Sequence, residues 1–348
     1  FYAEMGGQVG DRGTIRTDTE SVPISDTIKD RSGRFLHRVA ANADPATAKA
    51  LQGKKVTVEV DLDSRREIER HHTATHLLHS ALREVIGPHV RQAGSLVAAD
   101  HLRFDFSHFE AVQPDELAKI EAIINKRILE NDSVSTYEMA YADKPDDVIA
   151  FFGEKYGGTV RVVDIGGFSK ELCGGTHVRA TGELGLVKLL SESGIAAGTR
   201  RIEAVSGQAA LNLVTQTQNR LTGLAEKVGA SVTDLEQKVN HLLEQHDQAD
   251  KALRALSQRA AAGKADDLAD QATTRGDLKI VATVVEADNP NALRQLGAEV
   301  LNRIGEGVVV LGAAFGPKAT VVALASTEAN QAGYQAGKII SSLAQALG

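Results

Sequence analysis

Cysteine is nearly absent from this chain of 348 residues, which contains only one. A single cysteine cannot form an internal disulfide bond, and this favours a reducing compartment, the cytoplasm, as the location of the protein. No stretch approaches the roughly 20 apolar residues that cross a bilayer. No basic flank followed by an apolar run marks a secretory signal at the start of the sequence. We therefore expect no membrane partner.

Positive charge is also scarce. The chain has 39 lysine and arginine residues against 46 aspartate and glutamate residues, which gives a net charge of −7. This balance does not favour general nucleic-acid binding, although a local basic patch is compatible with it. Hydrophobic residues make up 42% of the chain and charged residues 24%, which is typical of a globular fold and argues against long disorder.

Apolar patterning predicts an α+β fold in four parts. Short alternating segments, separated by glycine and aspartate, predict a β-barrel-like subdomain over 1–60. Mixed helical and strand patterns predict an α+β domain over 61–206. A helical hairpin or stalk with a linker is predicted over 207–276 and a small α/β domain over 277–348.

Helical spacing is clearest in the second and third parts. It predicts one helix from Ser64 to Ile86 and another from Pro114 to Asn131. The second predicted helix has an apolar face that consists of Leu117, Ile120, Ile124 and Ile128. Further on, a heptad seam over 221–256 predicts coiled-coil-like helices with a turn near Gly229, and the polar residues 263–277 are typical of a linker.

The sharpest chemical signal is a pair of histidines one helical turn apart. His72 and His76 lie on one face of the first predicted helix, so both imidazoles can reach the same ion. Much later in the chain, Cys173 and His177 flank two glycines, which let the backbone fold tightly around an ion. One thiolate and three imidazoles suit Zn²⁺. A buried small hydrophobe is the alternative for Cys173, but it explains neither the glycines nor the histidine pair.

These motifs resemble those of a known family. Arg70–His79 is similar to the signature of alanyl-tRNA synthetase editing domains and their freestanding relatives, and the order of the four parts resembles the C-terminal half of alanyl-tRNA synthetases. The other runs that carry the resemblance are Phe1–Asp11, His89–Val97, Leu102–His108, Phe168–Val178 and Ser193–Val205.

The resemblance implies hydrolysis of mischarged Ser-tRNA(Ala) and Gly-tRNA(Ala), which is post-transfer editing. A pocket that accepts alanine cannot exclude the smaller glycine and rejects serine only weakly, so a second site must test the ester product. The implied partner is tRNA(Ala), especially its aminoacylated 3′ end, with a homodimer contact through the C-terminal region and no DNA. The implied cofactor is one Zn²⁺ per chain, while ATP belongs only to the aminoacylation module, which is missing here.

The resemblance also implies roles for residues near the zinc ligands. Thr75 is expected to bond the serine side chain or the attacking water, and Gln92 to contact the amino acid or the terminal adenosine. Asp164 is expected to orient a ligand imidazole, and a plain turn aspartate is an equal alternative. Positions expected to bind the substrate, for which a β-turn and a solvated helix face are the alternatives, are Gly6, Gly7, Gln8 and Arg70.

Phosphate contacts require lysine or arginine, so we expect an RNA-binding patch around the motif helix. The arginines that would form it are Arg65, Arg66, Arg70, Arg83 and Arg91, with Arg200 and Arg201 later in the chain. Two roles of the zinc ion stay open. With an open coordination position it would polarise the ester or activate water, whereas with four protein ligands it would mainly position the substrate end, which we favour.

Three departures from the family pattern affect the interpretation. Met5 stands where the family usually has serine, the aminoacylation module is missing, and the chain stops at Gly348, before an expected glycine-rich tail. Together with the start at Phe1 instead of Met, they predict a fragment that does not charge tRNA. The alternatives are a freestanding trans-editing deacylase and a non-catalytic tRNA-binding or dimerisation module. A phosphoesterase is disfavoured because the sequence has no Asp-rich metal cluster.

Overall fold

The computed structural model describes residues 1–150 and 157–347. These residues form two compact units, Phe1–Leu221 and the part from Thr222 onward. The fold is α+β with four sheets, which confirms the predicted class. Gly348, the end of the last predicted domain, lies outside the described residues. Among the helices that are described, none is both long and apolar enough to cross a membrane.

Four antiparallel strands form the first sheet. They are β1 (Gly13–Arg16), β2 (Ser21–Lys29), β3 (Phe35–Val39) and β4 (Thr57–Val60), and helix α1 (Pro45–Ala50) precedes β4. Their order is β3-β2-β1-β4, and the edge strands do not pair with each other in this part of the described chain. The predicted barrel is therefore wrong, because four strands are too few to enclose a packed interior. Phe35 and Val58 on the edge strands stay exposed.

The main core of the first unit lies between two helices and the second sheet. The helices are α2 (Leu62–Val85) and α3 (Pro114–Glu130), and the strands are β5 (Gln92–Val97), β6 (Leu102–Ser107), β10 (Val187–Ala196) and β11 (Thr199–Ser206). The strand order is β10-β11-β6-β5, with every pair antiparallel. Buried side chains from both helices and from β6, β10 and β11 belong to one cluster.

The ends and faces of these two helices follow from the sequence. The Asp61 side chain accepts a hydrogen bond from the Ser64 amide at 3.1 Å and caps the start of α2. Helix α3 begins at Pro114 and ends before Asn131, which has a left-handed φ of 55°. The predicted apolar face of α3 is confirmed, since its isoleucines are buried and Leu117 packs against them; the buried side chains are Ile120, Ile124 and Ile128.

The third sheet places the cysteine loop. Its strands, in antiparallel order β7-β8-β9, are β7 (Val134–Ala140), β8 (Thr159–Ile165) and β9 (Ser169–Leu172). Strand β9 ends directly before Cys173, and Arg161 on β8 donates hydrogen bonds to the carbonyls of Cys173 at 3.0 Å and Gly175 at 2.7 Å. The sheet thus fixes the path of the loop that carries two of the predicted ligands.

Two long helices precede the C-terminal region in the chain. Helix α4 (Gly207–Lys227) and helix α5 (Leu235–Asp270) are separated by a turn at Gly229, whose φ is 67°. The predicted turn is therefore confirmed, while apolar residues of the heptad seam such as Leu253 are exposed. The predicted linker over 263–277 is wrong, because α5 continues to Asp270. Ala265 and Leu268 anchor that last part of α5 in the C-terminal core.

The C-terminal region is a layered α/β structure. Its elements are β12 (Thr273–Arg275), β13 (Leu278–Val284), α6 (Pro290–Ile304), β14 (Gly307–Phe315), β15 (Lys318–Ala325), α7 (Thr327–Gln331) and α8 (Ala336–Leu347). The strand order is β12-β13-β14-β15, and α6 connects the one parallel pair, β13 and β14. Leu293 and Val300 of α6 pack against Val309 and Leu311 of the sheet.

Candidate metal centre

The four predicted ligands come together between α2 and the loop after β9. The nearest ligand atoms of His72, His76, Cys173 and His177 all lie within 4.8 Å of one another. The Sγ atom of Cys173 is 3.3 Å from Nε2 of His72 and 3.4 Å from Nε2 of His177. Tetrahedral zinc ligands, at about 2.0 Å for nitrogen and 2.3 Å for sulfur, lie about 3.3 to 3.6 Å apart. These two distances therefore fit a zinc ion.

A buried glutamine orients His72. Nδ1–H of His72 donates to Oε1 of Gln8 at 2.7 Å, and the same oxygen accepts a bond from the Thr176 amide at 2.9 Å. The Nε2 atom of Gln8 donates to Oγ1 of Thr176 at 2.9 Å, which fixes the direction of the amide. Gln8 is thus a positioning residue for His72 and the Cys173–His177 loop, although the sequence predicted a role in substrate binding.

A threonine on α2 orients His177. The Thr73 hydroxyl donates its hydrogen to the Glu69 carbonyl at 2.9 Å, so its oxygen is left to accept. Nδ1–H of His177 lies 3.1 Å from that oxygen and donates to it. This bond keeps the hydrogen on Nδ1 and turns Nε2 of His177 towards Cys173.

Glu171 orients His76, the third histidine. It is buried, and its Oε2 accepts a hydrogen bond from Nδ1–H of His76 at 2.6 Å. Its other oxygen accepts from Nδ1–H of His79 at 2.8 Å. Nε2 of His76 is buried and has no hydrogen-bond partner among the described residues. Since a buried ring nitrogen without a partner is costly, this atom is a strong argument for a bound ion.

The electrostatics of the cluster also suit a cation. Burial raises the pKa of the Cys173 thiol, but the nearby histidines outweigh burial and hold that pKa well below its usual range. Burial and the neighbouring His72 lower the pKa of His177 to about 3, which favours its neutral, ligating form. Burial lowers the pKa of His76, but Glu171 and Cys173 raise it to about 10. The same two negative groups attract a metal ion.

A cavity of about 340 Å³ opens beside the cluster. Thr75 and Gln92 line it, as do Gly6 and Gly7 of the turn that connects Met5 to Gln8. Both glycines have positive φ, 61° and 86°, which suits a two-residue turn. Other residues of the wall were not predicted as site residues; these include Tyr2, Ser95 and Leu172.

Thr75 and Gln92 are each held by one intramolecular bond. The Thr75 hydroxyl donates to the His71 carbonyl at 2.8 Å, so its oxygen remains an acceptor towards the cavity wall. The Nε2 atom of Gln92 donates to Oγ of Ser95 at 3.2 Å. Met5 also lines the cavity, so a flexible apolar side chain is present where the resemblance led us to expect a hydroxyl.

Two predicted site residues lie elsewhere. Asp164 accepts a hydrogen bond from the Gly167 amide at 2.8 Å, and no described bond joins it to a histidine ligand. It has the turn role that was the alternative prediction, and the carboxylate beside the ligands is that of Glu171. Arg70 lines a different groove, where it pairs with Glu67 and donates to the Glu183 carbonyl at 2.8 Å.

Several arginines of the predicted RNA patch are engaged within the chain. Arg65 pairs with Asp11. Two others form two-bond contacts with carboxylates, Arg200 with Glu192 and Arg201 with Asp105. Arg83 donates to two backbone carbonyls of the loop before β5. Arg66 and Arg91 are exposed.

Comparison with known proteins finds one family of similar sequences. Residues 160–203, which include the cysteine loop, match the family described as "Threonyl and Alanyl tRNA synthetase second additional domain". The whole chain is 50% identical to part of an alanine–tRNA ligase from Opitutus terrae and 40% identical to part of one from Acetivibrio thermocellus. The chain is therefore similar over its whole length to one region of the alanine–tRNA ligases. It spans 37% and 39% of the length of these two relatives.

Sequence reasoning also missed the roles of Thr73 and Glu171, which accept hydrogen bonds from the ring N–H groups of His177 and His76. Glu171 had a weak signal, since it is an acidic residue on the short strand β9, two positions before Cys173. Thr73 had none, because a threonine between two histidines on a helix is an ordinary polar residue.

We expect Glu171→Gln to lower the zinc affinity by about 10- to 100-fold. A carboxylate accepts hydrogen bonds from both His76 and His79, whereas a carboxamide presents one N–H donor to a ring that also donates. Competition with a fluorescent zinc chelator measures the change. The matched control is Glu138→Gln on an exposed position of β7. Equal zinc affinity in the Glu171 variant and in the control would contradict the orienting role.

Proposed function

We propose that this chain hydrolyses the ester that joins serine or glycine to tRNA(Ala). The observation that carries the proposal is a cluster of three imidazoles and one thiolate in the wall of a cavity that also contains Thr75 and Gln92. This arrangement supports a cation-binding centre beside polar groups suited to a small amino acid. The similarity to alanine–tRNA ligases supports the same substrate class.

The chain offers four possible ligands, so a bound ion is proposed mainly to position the end of the substrate. His72, His76, Cys173 and His177 would hold the zinc ion. When bound, zinc supplies positive charge that attracts the ester end of the substrate. We propose that side chains in the wall of the cavity distinguish one amino acid from another. We propose that the Thr75 oxygen accepts a hydrogen bond from the serine hydroxyl, because its own hydrogen is already donated to the backbone.

Gln92 is proposed to contact the terminal adenosine. It lies at the start of β5 and also lines a second cavity beside the first one. A residue in both walls is well placed to meet the substrate where the amino acid joins the nucleotide. A homodimer contact in the C-terminal half of the chain is a further proposal, which the exposed apolar seam on α4 and α5 supports. The cytoplasm is the proposed location.

Hydrolysis of three esters tests the proposed function. The zinc-loaded chain should release serine and glycine from tRNA(Ala) rapidly and alanine slowly, in assays that follow the labelled amino acid. Equal rates for all three esters would contradict an editing role. No release of serine or glycine by a chain that binds both zinc and tRNA would favour the non-catalytic tRNA-binding module instead.

We expect Thr75→Val to impair serine release more than glycine release. Valine keeps the shape of threonine but removes the oxygen acceptor, and one such bond is worth about 1 kcal/mol or more, so the rate for Ser-tRNA(Ala) should fall about tenfold. The rate for Gly-tRNA(Ala) should change less than about threefold, because glycine has no side chain. The control is Thr217→Val, at an exposed position of α4. An equal loss for both esters would contradict the hydroxyl contact.

A further inference from the structure

A second cavity, of about 330 Å³, adjoins the candidate site, and Gln92 lines both. Three basic residues, Arg83, Arg91 and Lys144, line the second cavity, and among its described lining residues there is no aspartate or glutamate. This is unusual in a chain with a net charge of −7, in which many arginines are paired with carboxylates. As far as the described residues show, the cavity is therefore a local site of unbalanced positive charge.

Helix α2 connects the two cavities. His72, His76, His79 and Arg83 follow one another at steps of four, three and four, so they share one face of the helix. Arg83 lies seven residues after His76, which is about 10 Å along the helix axis. His79 and Arg83 line the second cavity, and the first two histidines line the first. The basic cavity thus begins within about 10 Å of the candidate metal ligands along the helix axis.

The basic groups differ in how firmly they are held. Arg83 donates from one nitrogen to the carbonyls of Pro88 at 2.7 Å and Val90 at 2.9 Å, which fixes its guanidinium beside the loop. Lys144 donates to the carbonyl of Val148 at 2.7 Å. Arg91 is held by its backbone, since its amide donates to Oγ of Ser107 at 3.0 Å and its carbonyl accepts from the Ser107 amide. Its exposed side chain is the one best suited to meet an anion.

We propose that this basic cavity binds the 5′-phosphate of the terminal nucleotide of the substrate. The inference rests on the proposed function, in which the aminoacyl ester lies at the metal centre. In a 3′-aminoacylated RNA, the anion nearest the ester is that phosphate, and only the ribose separates the two. Guanidinium groups suit a phosphate because they offer several donors in a fixed plane. Gln92, between the cavities, would then face the terminal nucleoside.

Two pairs of small molecules test the proposal on the zinc-loaded full chain. AMP and adenosine differ only in the phosphate, as do their 3′-O-seryl esters. The chain should bind AMP about tenfold more tightly than adenosine, and Arg91→Gln should remove this preference. With the esters, Arg91→Gln should raise KM about tenfold for the phosphorylated one alone, with kcat unchanged within about twofold. Arg91→Lys should restore much of the preference, and the matched control Arg31→Gln, at an exposed turn, should behave as the parent.

The outcomes separate this proposal from the proposed function. Equal affinity for AMP and adenosine, or an equal effect of Arg91→Gln on both esters, overturns the phosphate site even when hydrolysis is intact. A lost AMP preference in the Arg91 variant, together with no hydrolysis of either ester by the parent chain, supports the phosphate site and contradicts the proposed function. A preference that survives in Arg91→Gln also overturns the assignment.

Discussion

Replacing Cys173 by alanine should remove zinc from the chain and abolish hydrolysis of Ser-tRNA(Ala). The thiol contributes one of four ligand atoms, and its Sγ lies 3.3 Å and 3.4 Å from two histidine nitrogens. A four-ligand zinc site is worth about 10–16 kcal/mol, so losing one ligand, about a quarter of that, should weaken binding more than about a hundredfold. Zinc content measured by mass spectrometry, with the rate of serine release, checks the result.

The matched control for this variant is His246→Gln, which alters an exposed histidine of α5. It should keep both the zinc and the activity. If Cys173 acted only as a small packing group, its replacement by alanine would cost less than about 1.5 kcal/mol of stability. Unchanged zinc content and unchanged serine release in Cys173→Ala would establish that reading and refute the metal centre. Circular dichroism shows whether the variant is folded.

Replacing Gly175 by alanine should have an effect of similar size, although Gly175 is not a ligand. A Cβ atom at this position would lie 2.0 Å from Cε1 of His72 and 2.8 Å from Oε1 of Gln8. No side chain tolerates such an approach, so the ring of His72 must turn away from Gln8 and from the other ligands. We expect zinc affinity to fall more than about a hundredfold and hydrolysis to fall with it. Titration with a zinc indicator measures this directly.

The neighbouring glycine provides a close control. A Cβ atom on Gly174 would approach only the terminal methyl of Met5, at 3.3 Å, and that flexible side chain can move. Gly174→Ala should therefore keep its zinc affinity within about threefold of the parent. If both glycine variants bind zinc equally well, the predicted clash of a Cβ atom at position 175 with the His72 ring does not affect zinc binding, and the prediction is wrong.

Local patterns of the sequence were sufficient for the class of the fold and for the helices that position the site. The predicted ends of α2 and α3 lie within two residues of the observed ones, because Asp61, Pro114 and Asn131 give local signals at those ends. The barrel and the linker were wrong for a different reason. Closure of a sheet into a barrel, and the packing of Ala265 and Leu268 in the C-terminal core, depend on contacts between residues far apart in the sequence.

The distinction between local signals and long-range contacts also applies to the site. His72 and His76 are one turn apart, and Cys173 and His177 flank a turn, so chemistry and spacing predicted a common ion, and the structure brings these side chains together. The roles of Gln8 and Glu171 depend on bonds across 64 and 95 residues of sequence. No local pattern specifies such a partner, and Asp164, in the same sheet as Glu171, had an equally plausible type and position.

The bond between Gln8 and the Thr176 amide spans 168 residues, and it has a consequence for the order of events during synthesis. A growing chain presents the two histidines of α2 long before the ribosome has added Cys173 and His177. Until then the nascent chain offers half of the donor set, and closing so long a loop costs entropy that only the finished fold offsets. Binding of an ion by all four groups would therefore follow translation through His177, and a bound ion would report that the chain is complete as far as that residue.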